Sequence, residues 1–352
     1  MKNKLKILLF LSLFGNVLFL AYQIPYIQIK MRFLLFGALG FSVPKNVPYV
    51  KKNVLVTEFY PISMLEMKDI RLKNLPTYPV FEMHGHLGFP FQKNPEEVTK
   101  LMDELKIVKM INLSFKTGEE FQKIKSSYND PRIIHFSTFN WKRIDERENF
   151  IPLMLDDLKK DISVGSKGIK LWKNFGLMLK KRNGERLKMN DSILDPLFQE
   201  CAKHNLPIFI HTVDPKSFFS PIDEKNERYD ELVRRPEWSF ASNEYPSFDE
   251  VLQERDELFG RHPNVKFVAL HFAEYSHNLQ KADKLLTSNK NVYIDISARI
   301  DELGRQPYSA KKFFEKFQDR IFFGTDGPPD RGKYEIYSRF LETKDEYFDY
   351  YP

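Results

Sequence analysis

Residues 78–88 read YPVFEMHGHLG, a β-compatible apolar run that ends in two histidines separated by a glycine. Alternate residues of a strand lie on one face, so the imidazoles of His84 and His86 can converge on one cation. Neutral imidazole nitrogen suits zinc and similar divalent metals. His-x-His also occurs as an ordinary polar strand end, so its meaning depends on the rest of the chain.

Three further residues with ligand-type side chains also end short apolar runs: His211, His271 and Asp326. Each run has the length of a strand, and helical patterns precede the two that end in histidine. One histidine at a strand end is most often structural, whereas several strand ends that carry histidine or aspartate are hard to explain by chance. The pattern predicts one metal site spread over several strands.

The coarse secondary structure gives these strand ends a common framework. The candidate strands are the apolar or β-rich runs at 80–84, 107–113, 133–139, 168–172, 208–211, 265–270, 292–296 and 321–324. Helical patterns lie between or after them, at 95–106, 150–162, 194–204, 248–260, 279–287, 310–317 and around 334–341. This alternation predicts a (β/α)8 TIM barrel, whose active site lies at the carboxyl ends of the strands.

With these residues in this order, the chain resembles the amidohydrolase superfamily of metal-dependent TIM-barrel enzymes. It is most similar to the amidohydrolase-related (amidohydrolase 2) branch that contains aminocarboxymuconate-semialdehyde decarboxylase. The resemblance spans about residues 79–350, and stretches 214–219, 295–308 and 339–348 resemble a subgroup of uncharacterised bacterial members. The family pattern is Asp-x-His-x-His, His, His and Asp. Glu82 stands where the family usually has the first Asp, which is a supporting position.

The resemblance implies roles for the strand-end residues. His84, His86 and Asp326 are expected to hold a divalent ion, with His211 as a further ligand. Zinc is the first choice, and manganese or another transition metal is the alternative. A bound zinc lowers the pKa of its water to about 7. Asp326 is then the expected general base, and His271 is expected to polarise the substrate or transfer a proton.

Lys170 lies near the end of the fourth candidate strand, where binuclear relatives carry a carboxylated lysine that bridges two metals. In that case His211 and His271 become ligands of the second ion. The alternative is a lysine that binds an anionic substrate or only completes the strand.

Arg299 and Arg305 follow the seventh strand and suit carboxylate recognition. Structural ion pairs with the nearby Asp301 and Glu302 are the alternative. The long loop 212–246 is expected to be a lid or binding loop. Four aromatic side chains either line the pocket or pack this loop: Trp172, Phe218, Phe219 and Tyr308.

The amino terminus, residues 1–41, is predicted to be a membrane anchor. Lys2, Lys4 and Lys6 precede the largely apolar stretch 7–27, which is long enough to cross a bilayer. These basic residues place the terminus in the cytoplasm and the catalytic domain outside it. A cleaved signal peptide and a secreted protein are the alternative. Residues 42–78 are predicted to be a linker or decorating segment, and 79–352 the barrel domain.

Charge and cysteine content exclude other classes. The chain has a net charge of +6. Residues 1–41 hold five basic residues and no acid, which leaves +1 for the remainder. The basicity therefore belongs to the leader, and no nucleic-acid surface is expected. Cys201 is the single cysteine, so an internal disulfide and a lipoprotein anchor are both excluded.

The sequence therefore predicts a membrane-tethered, metal-dependent hydrolase that cleaves an amide, ester or lactone-type bond of a small molecule. A non-oxidative decarboxylase on the same metal site is the leading alternative. A catalytically inert binding barrel is a third, disfavoured because all five site residues are retained. A homo-oligomer is left open. Residues 327–352 suffice for one closing helix and a tail, and we expect the carboxyl end to be shorter than in the family.

Overall fold

The computed structural model describes residues 75–88, 90, 91 and 93–344, together with Leu55 and Glu58. The predicted anchor 1–41 and most of the segment 42–78 lie outside the described residues. No helix within the described part of the chain is long and apolar enough to cross a membrane. The anchor and the orientation of the protein therefore stay predictions.

Eight parallel strands form the centre of the fold. They are β1 Val80–Gly85, β2 Ile107–Leu113, β3 Ile133–Phe136, β4 Ile169–Leu171, β5 Ile208–Ile210, β6 Phe267–Ala269, β7 Val292–Asp295 and β8 Ile321–Phe322. They pair in the orders β1-β2-β3 and β4-β5-β6-β7-β8. Parallel bridges Ser137–Ile169 and Gly85–Gly327 join the two sheets. The predicted closed barrel is confirmed, although most strands are shorter than the apolar runs.

One long helix follows each strand. These helices are α1 Pro95–Glu104, α2 Gly118–Ser127, α3 Ile151–Ser163, α4 Asp195–Lys203, α5 Phe248–Arg261, α6 Leu279–Ser288, α7 Pro307–Phe317 and α8 Arg331–Glu342. The sequence pattern at 310–317 missed the first turn of α7, where Pro307 occupies a first-turn position. Proline suits that position because its fixed φ is helical and it has no N–H to leave unpaired.

Short helical segments and tight turns occupy the loops. They are Arg143–Glu146, Asn174–Leu177, Ser192–Leu194, Lys216–Phe219, Tyr229–Arg234, Pro236–Trp238, Leu270–Ala273, Ile300–Gly304 and Gln318–Arg320. Three of these segments lie in the long loop after β5, at Lys216–Phe219, Tyr229–Arg234 and Pro236–Trp238. That loop is consequently a packed element with structure of its own.

The strands bury both faces, as parallel barrel strands must. In β5, Ile208 and Ile210 pack in the large cluster with the helices, whereas Phe209 belongs to a separate interior cluster. The other buried members of that cluster are Ile111, Leu113, Phe136, Val268 and Leu270. Gly168 leaves room for this layer, because a Cβ there would lie 2.2 Å from the Phe136 ring. Apolar side chains therefore fill the barrel, and polar side chains concentrate at the strand ends.

Candidate metal centre

His84, His86 and Asp326 converge at the seam where β8 meets β1. Backbone hydrogen bonds close this seam: the Met83 N–H donates to the Phe323 carbonyl at 2.9 Å, and the Asp326 N–H donates to the His84 carbonyl at 3.0 Å. Asp326 Oδ1 then lies 3.2 Å from His84 Nε2 and 3.0 Å from His86 Nε2. The three ligand atoms all lie within 4.8 Å of one another.

The other ring nitrogen of each histidine, Nδ1, also has a partner. His84 Nδ1 lies 2.6 Å from Asp295 Oδ2, and His86 Nδ1 lies 2.8 Å from the Leu113 carbonyl oxygen. A carbonyl can only accept, so Nδ1 of His86 carries the proton and Nε2 presents a lone pair to Asp326. Partners of this kind orient metal-binding imidazoles in proteins.

The charges of His84, His86 and Asp326 are coupled. Desolvation lowers the pKa of His86 to about 4, so the ring is neutral at pH 7. Desolvation also opposes ionisation of Asp326, but His84 and His86 together hold the pKa of that carboxyl well below its usual range. Desolvation opposes protonation of His84, but Asp326 and Asp295 raise its pKa above the usual value, so the negative charge of Asp326 is balanced mainly by His84. Two ligand atoms at about 2.1 Å from one ion are about 3.0–3.4 Å apart, which matches the two spacings from the histidines to Asp326 Oδ1.

His211 and His271 lie beside this group, each with one ring nitrogen that has no hydrogen-bond partner. Their rings are 4.2 Å apart, and the ring of His271 is 5.0 Å from that of His84. The Nε2 atoms of both are buried without a hydrogen-bond partner. Desolvation lowers the pKa of His211 to about 4 and that of His271 well below its usual value. His84, His86 and Asp326 form the donor set that fits a divalent ion, and His211 and His271 add two further imidazoles beside it.

Lys170 is buried next to the same ligand atoms. Its Nζ lies 3.2 Å from His84 Nε2, and 1% of the residue is exposed. Desolvation lowers the pKa of its ammonium group to about 8. The position agrees with both sequence interpretations, because a buried amine can become carboxylated and a buried ammonium can bind an anion.

Glu82 supports the seam without facing the ligand nitrogens. Its Oε1 accepts hydrogen bonds from the backbone N–H groups of His84 at 2.8 Å and Thr325 at 3.1 Å. Its Oε2 accepts from the hydroxyls of Thr325 at 2.9 Å and Tyr334 at 2.8 Å. The carboxylate therefore links β1 to the segment that carries Asp326, which is the supporting role the resemblance implies.

Asp295 and Ser297 also belong to the site, and no role was predicted for them. Asp295 is fully buried and contacts His84, and Ser297 Oγ lies 2.7 Å from the same Nδ1. The sequence did carry a signal, because Asp295 ends the apolar run of β7 just as the predicted site residues end theirs.

The two candidate arginines differ in position. Arg299 is buried and donates to Glu274 Oε2 at 2.5 Å, and the other oxygen of Glu274 lies 4.0 Å from His211 Nε2. Arg305 is 60% exposed and pairs with Glu227 at 2.8 Å. The structure therefore brings Arg299 to the edge of the site and places Arg305 on the surface. Asp301 and Glu302 instead pair with Arg228.

The aromatic residues divide in the same way. Phe115 stacks on His86 with ring centroids 4.7 Å apart, and Trp172 packs edge-on against Phe115. Phe218 and Phe219 instead pack within the long loop, against Trp238 and Phe240 respectively. Tyr308 is 75% exposed. Of the four predicted aromatic residues, Trp172 is thus the one joined to the histidines through a described ring contact.

Comparison with known proteins agrees with this architecture. The chain resembles an uncharacterised TIM-barrel protein from Bordetella bronchiseptica, with 13% identity, 76% of this chain and 93% of that chain covered and a TM-score of 0.51. It also resembles 2,6-dihydroxybenzoate decarboxylase, with 15% identity, 75% and 93% covered and a TM-score of 0.49. At such identities the likeness shows the fold alone.

A third similar structure is 5-carboxyvanillate decarboxylase from Novosphingobium aromaticivorans, complexed with manganese. It has 15% identity, 70% of this chain and 73% of that chain covered and a TM-score of 0.44. No curated protein matches the chain. The narrower likeness to aminocarboxymuconate-semialdehyde decarboxylase stays a prediction.

A family model described as Amidohydrolase matches residues 150–346, more than half of the 352-residue chain. The match covers β4–β8 and includes His211, His271 and Asp326. The His-x-His strand β1 lies ahead of it. The protein belongs to the amidohydrolase family of metal-dependent TIM-barrel enzymes.

Proposed function

We propose that the protein is a metal-dependent hydrolase that cleaves an amide, ester or lactone-type bond of a small molecule. The observation that carries the proposal is the setting of Asp326. Its side chain is 32% exposed, whereas those of His84 and His86 are 0% and 3% exposed. An ionised carboxylate that touches both histidines and is partly exposed to solvent can take a proton from water and pass it to a leaving group.

His84, His86 and Asp326 would hold the ion, with His211 as the fourth ligand. A bound zinc or manganese ion would supply a Lewis acid that lowers the pKa of water and polarises a carbonyl oxygen. The protein's part is to hold these ligands in place. Burial of both histidines and the fixed Nδ1 atoms keep the Nε2 lone pairs directed at one point.

His271 is suited to a proton-transfer role. Its Nδ1 lies 3.0 Å from the Ser297 carbonyl oxygen, so this nitrogen carries the proton and the free Nε2 is an acceptor. With its pKa lowered by desolvation, the ring is neutral at pH 7 and can accept a hydrogen bond or a proton from a bound substrate.

The test is a substrate panel run on the metal-loaded and the chelator-stripped protein. We expect hydrolysis of at least one amide, ester or lactone, loss of that activity on stripping and recovery with zinc or manganese. A protein that neither binds these metals nor turns over any substrate after reconstitution would be a binding barrel, and the proposal would be rejected.

A second candidate, non-oxidative decarboxylation, is favoured by Lys170. A buried ammonium group beside His84, with 1% of the residue exposed, is suited to pair with the carboxylate of a substrate. Lys173, which pairs with Asp214 at the mouth of β4, adds a second cation. Small carboxylates therefore belong in the panel with carbon dioxide as the readout. Carbon dioxide release without hydrolysis products would replace the hydrolase by a lyase.

We also propose that residues 1–41 tether the enzyme with its barrel outside the cytoplasm. The basic residues ahead of the apolar stretch 7–27 support this orientation. Fractionation of expressing cells tests whether the protein is attached to the membrane. Protease accessibility of the barrel tests on which side of the membrane it lies. Recovery of the full-length chain in the soluble cytoplasmic fraction would reject both.

A further inference from the structure

The chain makes an unusual left-handed turn directly after β6. His271, Phe272, Ala273 and Glu274 have φ values of 54°, 59°, 51° and 59°. None of them is glycine, and side chains beyond Cα disfavour this conformation at every residue. Such a run persists only where surrounding interactions hold it, and it carries His271 into the site.

Asp295 is the side chain that holds the start of this turn. Its Oδ1 accepts the backbone N–H of His271 at 2.6 Å. Its Oδ2 lies 2.6 Å from His84 Nδ1 and accepts the Ser297 hydroxyl at 2.8 Å. One fully buried carboxylate on β7 thus contacts a ligand from β1 and the backbone of the residue that ends β6.

Ser297 completes the connection from two residues further on. Its carbonyl oxygen accepts from His271 Nδ1 at 3.0 Å. Its hydroxyl oxygen lies 2.7 Å from His84 Nδ1 and 3.3 Å from His271 Nδ1. Both rings are therefore held through Nδ1 by groups at the end of β7.

We propose that Asp295 and Ser297 form a positioning pair that couples the metal ligand His84 to the proton-transfer residue His271. The pair fixes the tautomer of both rings and anchors the left-handed turn, so that metal binding and proton transfer depend on one strand end. This inference rests on the proposed function, because it takes His84 as a ligand and His271 as the group that moves a proton.

The isosteric variant Asp295→Asn separates this role from simple filling of space. An asparagine can keep an acceptor toward the His271 N–H, but its NH2 group then faces His84 Nδ1. That contact favours the His84 proton at Nε2, where it occupies the lone pair that a metal would use.

A matched control is Asp161→Asn. Asp161 is also buried and accepts a hydroxyl, Thr117 Oγ1 at 2.5 Å, and a backbone N–H, that of Gly118 at 2.8 Å. It lies on α3, away from the histidines. A loss of function caused only by removing a buried charge should appear equally in both variants.

The experiment measures zinc affinity by competition with a chromophoric chelator for the wild-type protein, D295N, S297A and D161N. We expect about 10–100-fold weaker zinc binding in D295N, the range typical for the loss of such a supporting partner. S297A should lose less because the carboxylate remains, and D161N should match the wild type. Zinc affinity of D295N within about twofold of the wild type overturns the proposal, as does an equal loss in D161N.

Histidine tautomers measured by 15N NMR on the metal-free proteins give a second readout. Nδ1–H for His84 and His271 in the wild type, with His84 changing to Nε2–H in D295N, supports the positioning pair. An unchanged His84 tautomer contradicts it. A wild type that binds no zinc refutes the proposed function and leaves this readout to decide the pair. If D295N does not fold, S297A decides: weaker zinc binding supports the pair, and wild-type binding overturns it.

Discussion

The two pairs of histidines at the strand ends differ in how their nitrogens are used. His84 and His86, both from β1, have partners at both ring nitrogens, including the shared carboxylate of Asp326. His211 and His271, from β5 and β6, leave Nε2 buried without a hydrogen-bond partner, although Asp214 Oδ1 lies 3.5 Å from Nε2 of His211. The first pair is assembled around an acidic ligand, and the second is left available. We therefore expect His84, His86 and Asp326 to hold the ion with His211 as a further ligand, and His271 to meet the substrate.

The largest effect is expected at Asp326, the partly exposed carboxylate among the proposed metal ligands. Asp326→Asn should lower turnover by about 10²–10⁴-fold, because the amide cannot act as a base. The barrel should stay folded, as judged by circular dichroism and thermal melting. Asp319→Asn, which removes an exposed charge just before β8, is the control and should retain full activity. Unchanged turnover in D326N would reject its role as the base.

Metal content should separate the two pairs directly. We expect about one metal per chain in the wild type, far less in His86→Ala and about one in His271→Ala, although the last variant should lose activity by about 10²–10⁴-fold. Elemental analysis of the purified proteins measures this. Two metals per chain would instead support a carboxylated Lys170 bridge. Loss of the metal in H271A would erase the difference between the pairs.

Gly324→Ala should disturb the first pair through packing alone. A Cβ at this position would lie 2.6 Å from His84 Cβ and 3.1 Å from Asp295 Oδ2. We expect a loss of about 1–3 kcal/mol in the free energy of unfolding, together with weaker metal binding. Gly260→Ala in α5 is the control, because its Cβ would meet nothing closer than 4.0 Å. Equal stability and equal metal binding in both variants would show that His84 can shift without loss of either.

The smallest effect is expected at Tyr334, which supports Glu82 at the seam between β8 and β1. Tyr334→Phe removes the hydroxyl that donates to Glu82 Oε2 at 2.8 Å and should lower the free energy of unfolding by about 0.5–1.5 kcal/mol. Urea unfolding measures it as a lower midpoint at an unchanged m-value. Metal content should remain at the wild-type level, since Glu82 keeps its three other donors. A protein depleted of metal would mean that metal binding by His84 and His86 depends on this hydrogen bond to Glu82.

Much of this site could be predicted from the sequence because each principal residue ends an apolar run of strand length. A parallel barrel brings such ends together at one rim. His-x-His alone was weak evidence for a metal site, and His211, His271 and Asp326 at other strand ends strengthened that prediction. Chain order and periodicity therefore sufficed to place the side chains on a common rim.

The connections among those side chains could not be predicted in the same way. Asp295 carries the strand-end signal, but its partner His84 is 211 residues away, and the contact exists only in the closed barrel. The left-handed turn at His271 has no glycine to indicate positive φ. Arg299 pairs with Glu274 across a loop, although Asp301 and Glu302 are nearer in sequence. Tertiary structure selected these partners, and local sequence gives no signal for them.

The seam between β8 and β1 has a consequence for folding. His86 and Asp326 are separated by 240 residues, so an unfolded chain cannot keep both around one ion. An ion bound there would link the first and last strands of the barrel, and its binding free energy would add to the free energy of folding. At a hundredfold excess over the dissociation constant, this linkage adds about 2.7 kcal/mol to stability. Starving the protein of metal would thus loosen the barrel at the seam where its first and last strands meet.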